Sequence, residues 1–168
     1  MKKLLVALAL VVGMSFASVA QSSKIGHINS QELMTLMPEA ATIRTELEAH
    51  AAKLETQMTT MQSEYQALVR DYQTNEAAWS DLIKESKAKE IGDLEGRIQS
   101  FSQSAQQDLS AKEQALIEPV IKKAQEAIDA VAKANGYDYV FDTSTGAVLV
   151  FPEGDNMLSL VKKHLGII

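Results

Sequence analysis

Between Glu39 and about Gln73 the chain contains neither proline nor glycine, and its apolar residues recur at Leu47, Ala51, Leu54, Met58, Met61, Tyr65, Leu68 and Tyr72. The steps alternate four and three, the spacing of a heptad seam along one side of a helix that packs against another helix. The other faces carry Glu, Gln, Thr, Lys and Arg. An uninterrupted helix of about 35 residues extends roughly 50 Å. No small globule encloses that length, so the seam predicts an arm that projects.

The arm needs a return. Residues 74–81, TNEAAWSD, hold the expected reversal, and a second helical stretch runs from about Leu82 to Lys133. Ile91, Leu94, Ile98, Phe101 and Ala105 continue the three-four spacing, locally weakened by Gly92 and Gly96. Beyond Leu109 the seam widens into an apolar face of Leu116, Ile117, Val120, Ile121, Ala124, Ile128 and Val131. Pro119 lies inside this stretch, removes one helical hydrogen bond and predicts a kink near Glu118.

The two ends read differently. Lys24–Asn29 has the β-friendly Ile25 and Ile28, followed by Ser30 as the expected N-cap of a short helix, Gln31–Met37. Pro38 suits the first turn of the next helix. Asn135-Gly136 stops the long helix with residues that tolerate left-handed geometry. The stretch NGYDYVFDTSTGAVLVF then predicts a β-hairpin. In it Tyr137, Tyr139 and Phe141 share a face, and Ala147–Phe151 forms an apolar strand covered on both sides. A last amphipathic helix spans Met157–Leu165, with Met157, Leu158, Val161 and Leu165 on its apolar side. Helices of comparable length separate the strand at Ile25 from those at Tyr139 and Val148, so the two ends are expected to meet and pair. The fold class is α+β, mostly α: a long antiparallel helical hairpin projecting from a small β body.

Lys2 and Lys3, the apolar run Leu4–Val12 and the small residues Ser18-Val19-Ala20 have the order of a cleavable secretory leader, residues 1–20. A retained membrane anchor is disfavoured, because Gly13 and Ser15 break a run already short for a span. The expected location is the periplasm. Residues 21–168 then form one domain, with a body of 21–38 and 119–168 and an arm of 39–118. Loss of the two leader lysines takes the net charge from −6 to about −8, which disfavours nucleic acid and anionic lipid as partners. Cysteine is absent, which removes disulfide scaffolds, Cys-based zinc sites and thiol enzymes. His27, His50 and His164 fall in three different elements without metal-ligand spacing, and no phosphate-binding glycine motif or nucleophile elbow occurs. No enzyme, metal or cofactor is expected.

A body of about 60 residues buries little by itself, and an apolar strand at 147–151 is an edge that folded monomers avoid. A closed cyclic oligomer answers both problems, and at this point dimer and trimer stay open. The body residues expected at such an interface are Ile25, Ile28, Tyr139, Phe141, Val148 and Val150.

The order of elements resembles the Skp/OmpH family of periplasmic chaperones. The likeness is carried by KIGHIN at the first strand, by EPVIKKAQEAIDAVAKANGYDYVFDTSTGAVLVF, and by the terminal amphipathic helix. That resemblance implies a jellyfish-like trimer with three arms around a cavity. It also implies a function: holding unfolded outer-membrane proteins without ATP and preventing their aggregation in transit. The arm residues that would touch such clients are Met58, Met61, Tyr65, Leu68, Tyr72, Trp79, Ile91, Leu94, Ile98 and Phe101, each of which could instead only pack the seam or, for Trp79, staple the turn. Familiar members are strongly basic and this chain is acidic. The family's lipopolysaccharide or membrane contact is therefore not carried over to Lys84, Lys87 and Lys89, which alternate with Glu85 and Glu90. The competing reading is a structural or adaptor coiled coil that binds one folded envelope partner through its arm tips.

Overall fold

The computed structural model describes residues 23–167. In chain order these form β1 (Ile25–Ile28), α1 (Ser30–Leu36), α2 (Pro38–Asn75), a 3-10 turn (Glu76–Ala78), α3 (Asp81–Ala134), β2 (Tyr139–Asp142), a second 3-10 turn (Glu153–Asp155) and α4 (Leu158–Leu165). The proposed leader lies outside the described residues. Among the described residues no helix is long and apolar enough to cross a membrane.

The arm is α2 packed antiparallel against α3. Cross-arm ion pairs fix its register: Glu46 faces Lys112, and His50 faces Asp108 one turn further along α2 and one turn back along α3. Near the base Glu39 pairs with Lys123. Pro38 opens α2 without a lost hydrogen bond, since first-turn N–H groups have no helical acceptor. The reversal falls inside the expected window, with Ser80 as the N-cap of α3. Helix α3 runs unbroken through Pro119.

The body closes around the ends. β1 and β2 pair in parallel, with Ile25 opposite Tyr139 and Ile28 opposite Asp142. Parallel strands need a long crossover, and here the crossover is the whole arm. The base of α3 presents Val120, Ala124, Ala127, Val131 and Ala132 to Ile28, Leu33, Met37, Met157 and Val161, and together they make the core. Small residues on α3 let α1 and α4 approach its backbone. Helix α3 ends as its sequence dictates: Gly136 takes a φ of 69°, and the Tyr137 N–H donates to the Ala132 carbonyl at 3.0 Å. At Gly26 a side chain would collide, because an added Cβ would lie 2.8 Å from Met157 Sδ and 3.0 Å from the Tyr137 ring.

Two expectations are corrected. The N-cap of α1 is Asn29, whose side chain accepts from the Glu32 N–H at 2.9 Å. Ser30 instead donates its hydroxyl to Asp142 at 2.5 Å. The hairpin is also absent: residues 147–151 form no strand, and Leu149 and Val150 are 86% and 89% exposed instead of covered. The physical reason is a competing set of contacts. Asp142 gathers the N–H groups of Ser30 and Ser144 at 3.1 and 2.9 Å, which turns the chain off the end of β2. His27 then draws the far end of the segment toward β1: its Nε2 bonds the Pro152 carbonyl at 2.9 Å, and its ring lies 4.2 Å from that of Phe151.

Candidate functional site

The arm is covered on one side only. Each of Leu47, Ala51, Leu54, Met58, Met61, Tyr65, Leu68 and Tyr72 is half-buried, and so are Ile91, Ile98, Phe101 and Ala105 across from them. Two helices shield a seam from each other but not from the flanks. Leu94 alone reaches full burial within the arm. The result is an apolar stripe accessible from solvent and bordered by polar side chains.

Two clefts open along this stripe. The one in mid-arm has a volume of about 630 Å³ and is lined by Met58, Gln62, Ile98, Gln99, Ser102 and Gln103. The one nearer the tip, about 550 Å³, brings Leu68 and Leu94 together among Glu64, Lys89, Glu90 and Arg97. At the tip Trp79 sits edge-on against Tyr72, with ring centroids 5.8 Å apart, so it does staple the reversal. Beyond it Leu82 and Ile83 are exposed.

A second apolar surface lies on the body. Ile25, Phe141, Val148 and Val150 converge with His27 and Phe151 around a pocket of about 320 Å³. Tyr139 is exposed on the outward side of β2. Ile28 departs from this group, because it points inward and belongs to the core.

The most perturbed carboxyl is Asp142. Burial would raise its pKa, but the Ser30 hydroxyl, the Ser144 and Ser30 N–H groups and the Ser144 hydroxyl outweigh that and hold it at about 2. Its role is to tie the start of α1 to the end of β2. The Lys123 ammonium, bonded to Glu39, lowers that carboxyl's pKa and ties the arm base together. Among the described residues no cluster of His, Cys, Asp or Glu has metal-binding geometry.

The sequence-derived arm residues thus fall on one stripe, but the structure joins them in pairs. Met58 and Ile98 line one cleft, Leu68 and Leu94 line another and the Tyr72 and Trp79 rings meet, whereas Met61, Tyr65, Ile91 and Phe101 line neither cleft. Sequence reasoning missed Gln62, Gln99 and Gln103. Gln62 and Gln99 directly follow the seam residues Met61 and Ile98, but uncharged polar residues flank many seam positions, so the sequence did not single them out. It also missed Leu149 and Phe151, which the hairpin reading had placed under cover.

Comparison with known proteins places this geometry among relatives. Residues 24–165 match the family described as Outer membrane protein (OmpH-like). Chaperone protein Skp of Photorhabdus luminescens is 31% identical over 173 residues, spanning 98% of this chain and 99% of the relative. Chaperone protein Skp of Pectobacterium atrosepticum is 31% identical over 156 residues, with 88% and 90% covered. A crystal structure of an OmpH-like protein from Caulobacter crescentus superposes with a TM-score of 0.75 at 14% identity, covering 85% of this chain and 83% of the other.

Proposed function

This chain belongs to the OmpH-like outer membrane protein family, and from that membership we propose that it is an ATP-independent periplasmic holdase for unfolded outer-membrane β-barrel proteins. The observation that carries the reading is the arm seam, apolar along its whole length and half-buried at every named position but Leu94. Two facing helices cannot seal a seam from the flanks. This one leaves side chains of Met58, Met61, Tyr65, Leu68 and Ile98 within reach of another chain. Methionine is flexible and polarisable, which suits a surface that must accept many sequences.

Holding follows from numbers of contacts. Each half-buried side chain contributes on the order of 1 kcal/mol, so about ten make a tight complex whose individual contacts break fast. Release then requires no nucleotide, because the client gains far more on folding into its membrane barrel. The acidic exterior keeps the loaded complex soluble and favours cationic client segments.

We further propose that three copies assemble through the bodies. The exposed apolar residues Ile25, Tyr139, Phe141 and Val150, with half-buried Val148 beside them, support this, because such a surface on a body this small favours burial against other copies. Three arms then surround one client. The test is dilution of a urea-unfolded barrel protein into buffer with the mature chain, followed by light scattering. Suppression of aggregation near one client per three chains is expected; undiminished scattering at excess chaperone contradicts the proposal.

A further inference from the structure

The two clefts of the arm differ in chemistry, and the difference assigns one of them a ligand. None of the six residues lining the mid-arm cleft is charged. The cleft nearer the tip carries Glu64, Lys89, Glu90, Asp93 and Arg97 among its lining. In the mid-arm cleft Met58 and Ile98 supply apolar surface, and Gln62, Gln99 and Gln103 supply primary amides. The arm threonines Thr45, Thr56, Thr60 and Thr74 turn their hydroxyls back onto carbonyls of their own helix. The three glutamines take part in no such internal bond among the described residues.

A glutamine side chain is a neutral copy of the peptide group, with donors and an acceptor at one tip. Three of them beside two apolar side chains match one ligand class: a short uncharged segment of extended polypeptide, which offers backbone amides along its edge and apolar side chains on one face. A charged wall would be costly to desolvate under such a segment; a neutral amide wall costs much less. The cleft is also the right size for a segment. Ile98 to Gln103 covers about 7.5 Å of helix, the length of two or three extended residues.

We propose that this cleft is a binding subsite for extended, uncharged stretches of an unfolded client, gripped by side-chain amides on its backbone and by Met58 and Ile98 on its side chains. The inference rests on the holdase reading and specifies where on the arm an extended strand-forming segment is held.

The test compares three forms of the mature chain for binding a urea-unfolded β-barrel protein labelled with a fluorophore. These are wild type, Gln62→Glu with Gln99→Glu, and a control with Gln57→Glu and Gln107→Glu. The control residues are exposed on the same two helices but do not line the cleft. Both variants add the same charge, so general repulsion cancels in the comparison, and circular dichroism confirms equal helicity. The cleft variant is expected to raise Kd about tenfold over the control, as two lost backbone contacts predict. Equal Kd for the cleft variant and the control overturns the subsite while leaving the holdase reading intact. Absence of binding by wild type overturns both.

Discussion

The body and the arm of this molecule are built from the same kinds of residue and end in opposite states. Among the described residues ten of the eleven buried apolar side chains belong to the body, and the arm contributes Leu94 alone. The body draws its core from β1, α1, the base of α3 and the C-terminal segment, and Leu33, Met157 and Val161 lose all contact with water. The arm gives each seam residue only one facing helix. What the difference teaches is that, under the proposed function, stability and holding are separated in space. The core residues secure the fold, and the arm keeps its apolar surface available because two helices cannot close around it.

The most forceful way to break this comparison is to truncate one side chain in each region. Leu33→Ala is expected to cost about 3 kcal/mol, because it empties a fully enclosed site. Leu54→Ala, at a half-buried seam position, should cost about 1 kcal/mol. Thermal unfolding followed at 222 nm measures both, and equal losses would mean that the arm is sealed like a core.

The next effect concerns the knot that joins the chain ends. Asp142→Ala removes the acceptor for Ser30 and Ser144 and should cost about 2 kcal/mol. The pH dependence has a definite sign. The folded-state pKa is depressed to about 2, below the ordinary value of 3.8, so this contribution is fully present above pH 4 and disappears as pH falls toward 2. Urea denaturation at pH 5 and pH 3 should show wild type losing stability that the Ala variant has already lost.

Glycine sharpens the contrast with opposite signs. Gly26→Ala should destabilise by 1 kcal/mol or more (about the cost of overpacking), since Met157 Sδ and the Tyr137 ring occupy the space. Gly96→Ala should stabilise by about 0.8 kcal/mol, because nothing lies within 4 Å of the added methyl and alanine favours the helix. Paired melting curves test the prediction, and destabilisation by both would refute the open-arm description. The smallest effect is expected at the exposed cross-arm pair. Asp108→Ala, which frees His50, should change stability by about 0.5 kcal/mol or less, and by less still in high salt.

Much of this division was legible in the residues. The Leu47–Tyr72 spacing announced the arm, TNEAAWSD the reversal and Asn135-Gly136 the stop, because each depends on local chemistry. The meeting of Ile25 with Tyr139 followed from geometry, since an even hairpin must return to its origin. The fate of Val148 and Val150 was not legible. An apolar run reads as a covered strand wherever it falls, and it is the long-range bonds of Asp142 to Ser30 and of His27 to Pro152 that take it away from β2. Ser30 was misread as a cap for a similar reason: its partner, Asp142, lies on the far side of the arm in sequence. The mid-arm glutamines were overlooked because a polar flank means little until the facing helix shows that its counterpart is also uncharged.

Hydrogen exchange read by mass spectrometry, on the mature chain with and without an unfolded β-barrel protein, tests the separation of holding from stability most directly. The account predicts that client slows exchange along α2 and α3 between about residues 54 and 103 and leaves the core segments of α1 and α4 unchanged. Protection gained in the body with none in the arm would contradict it.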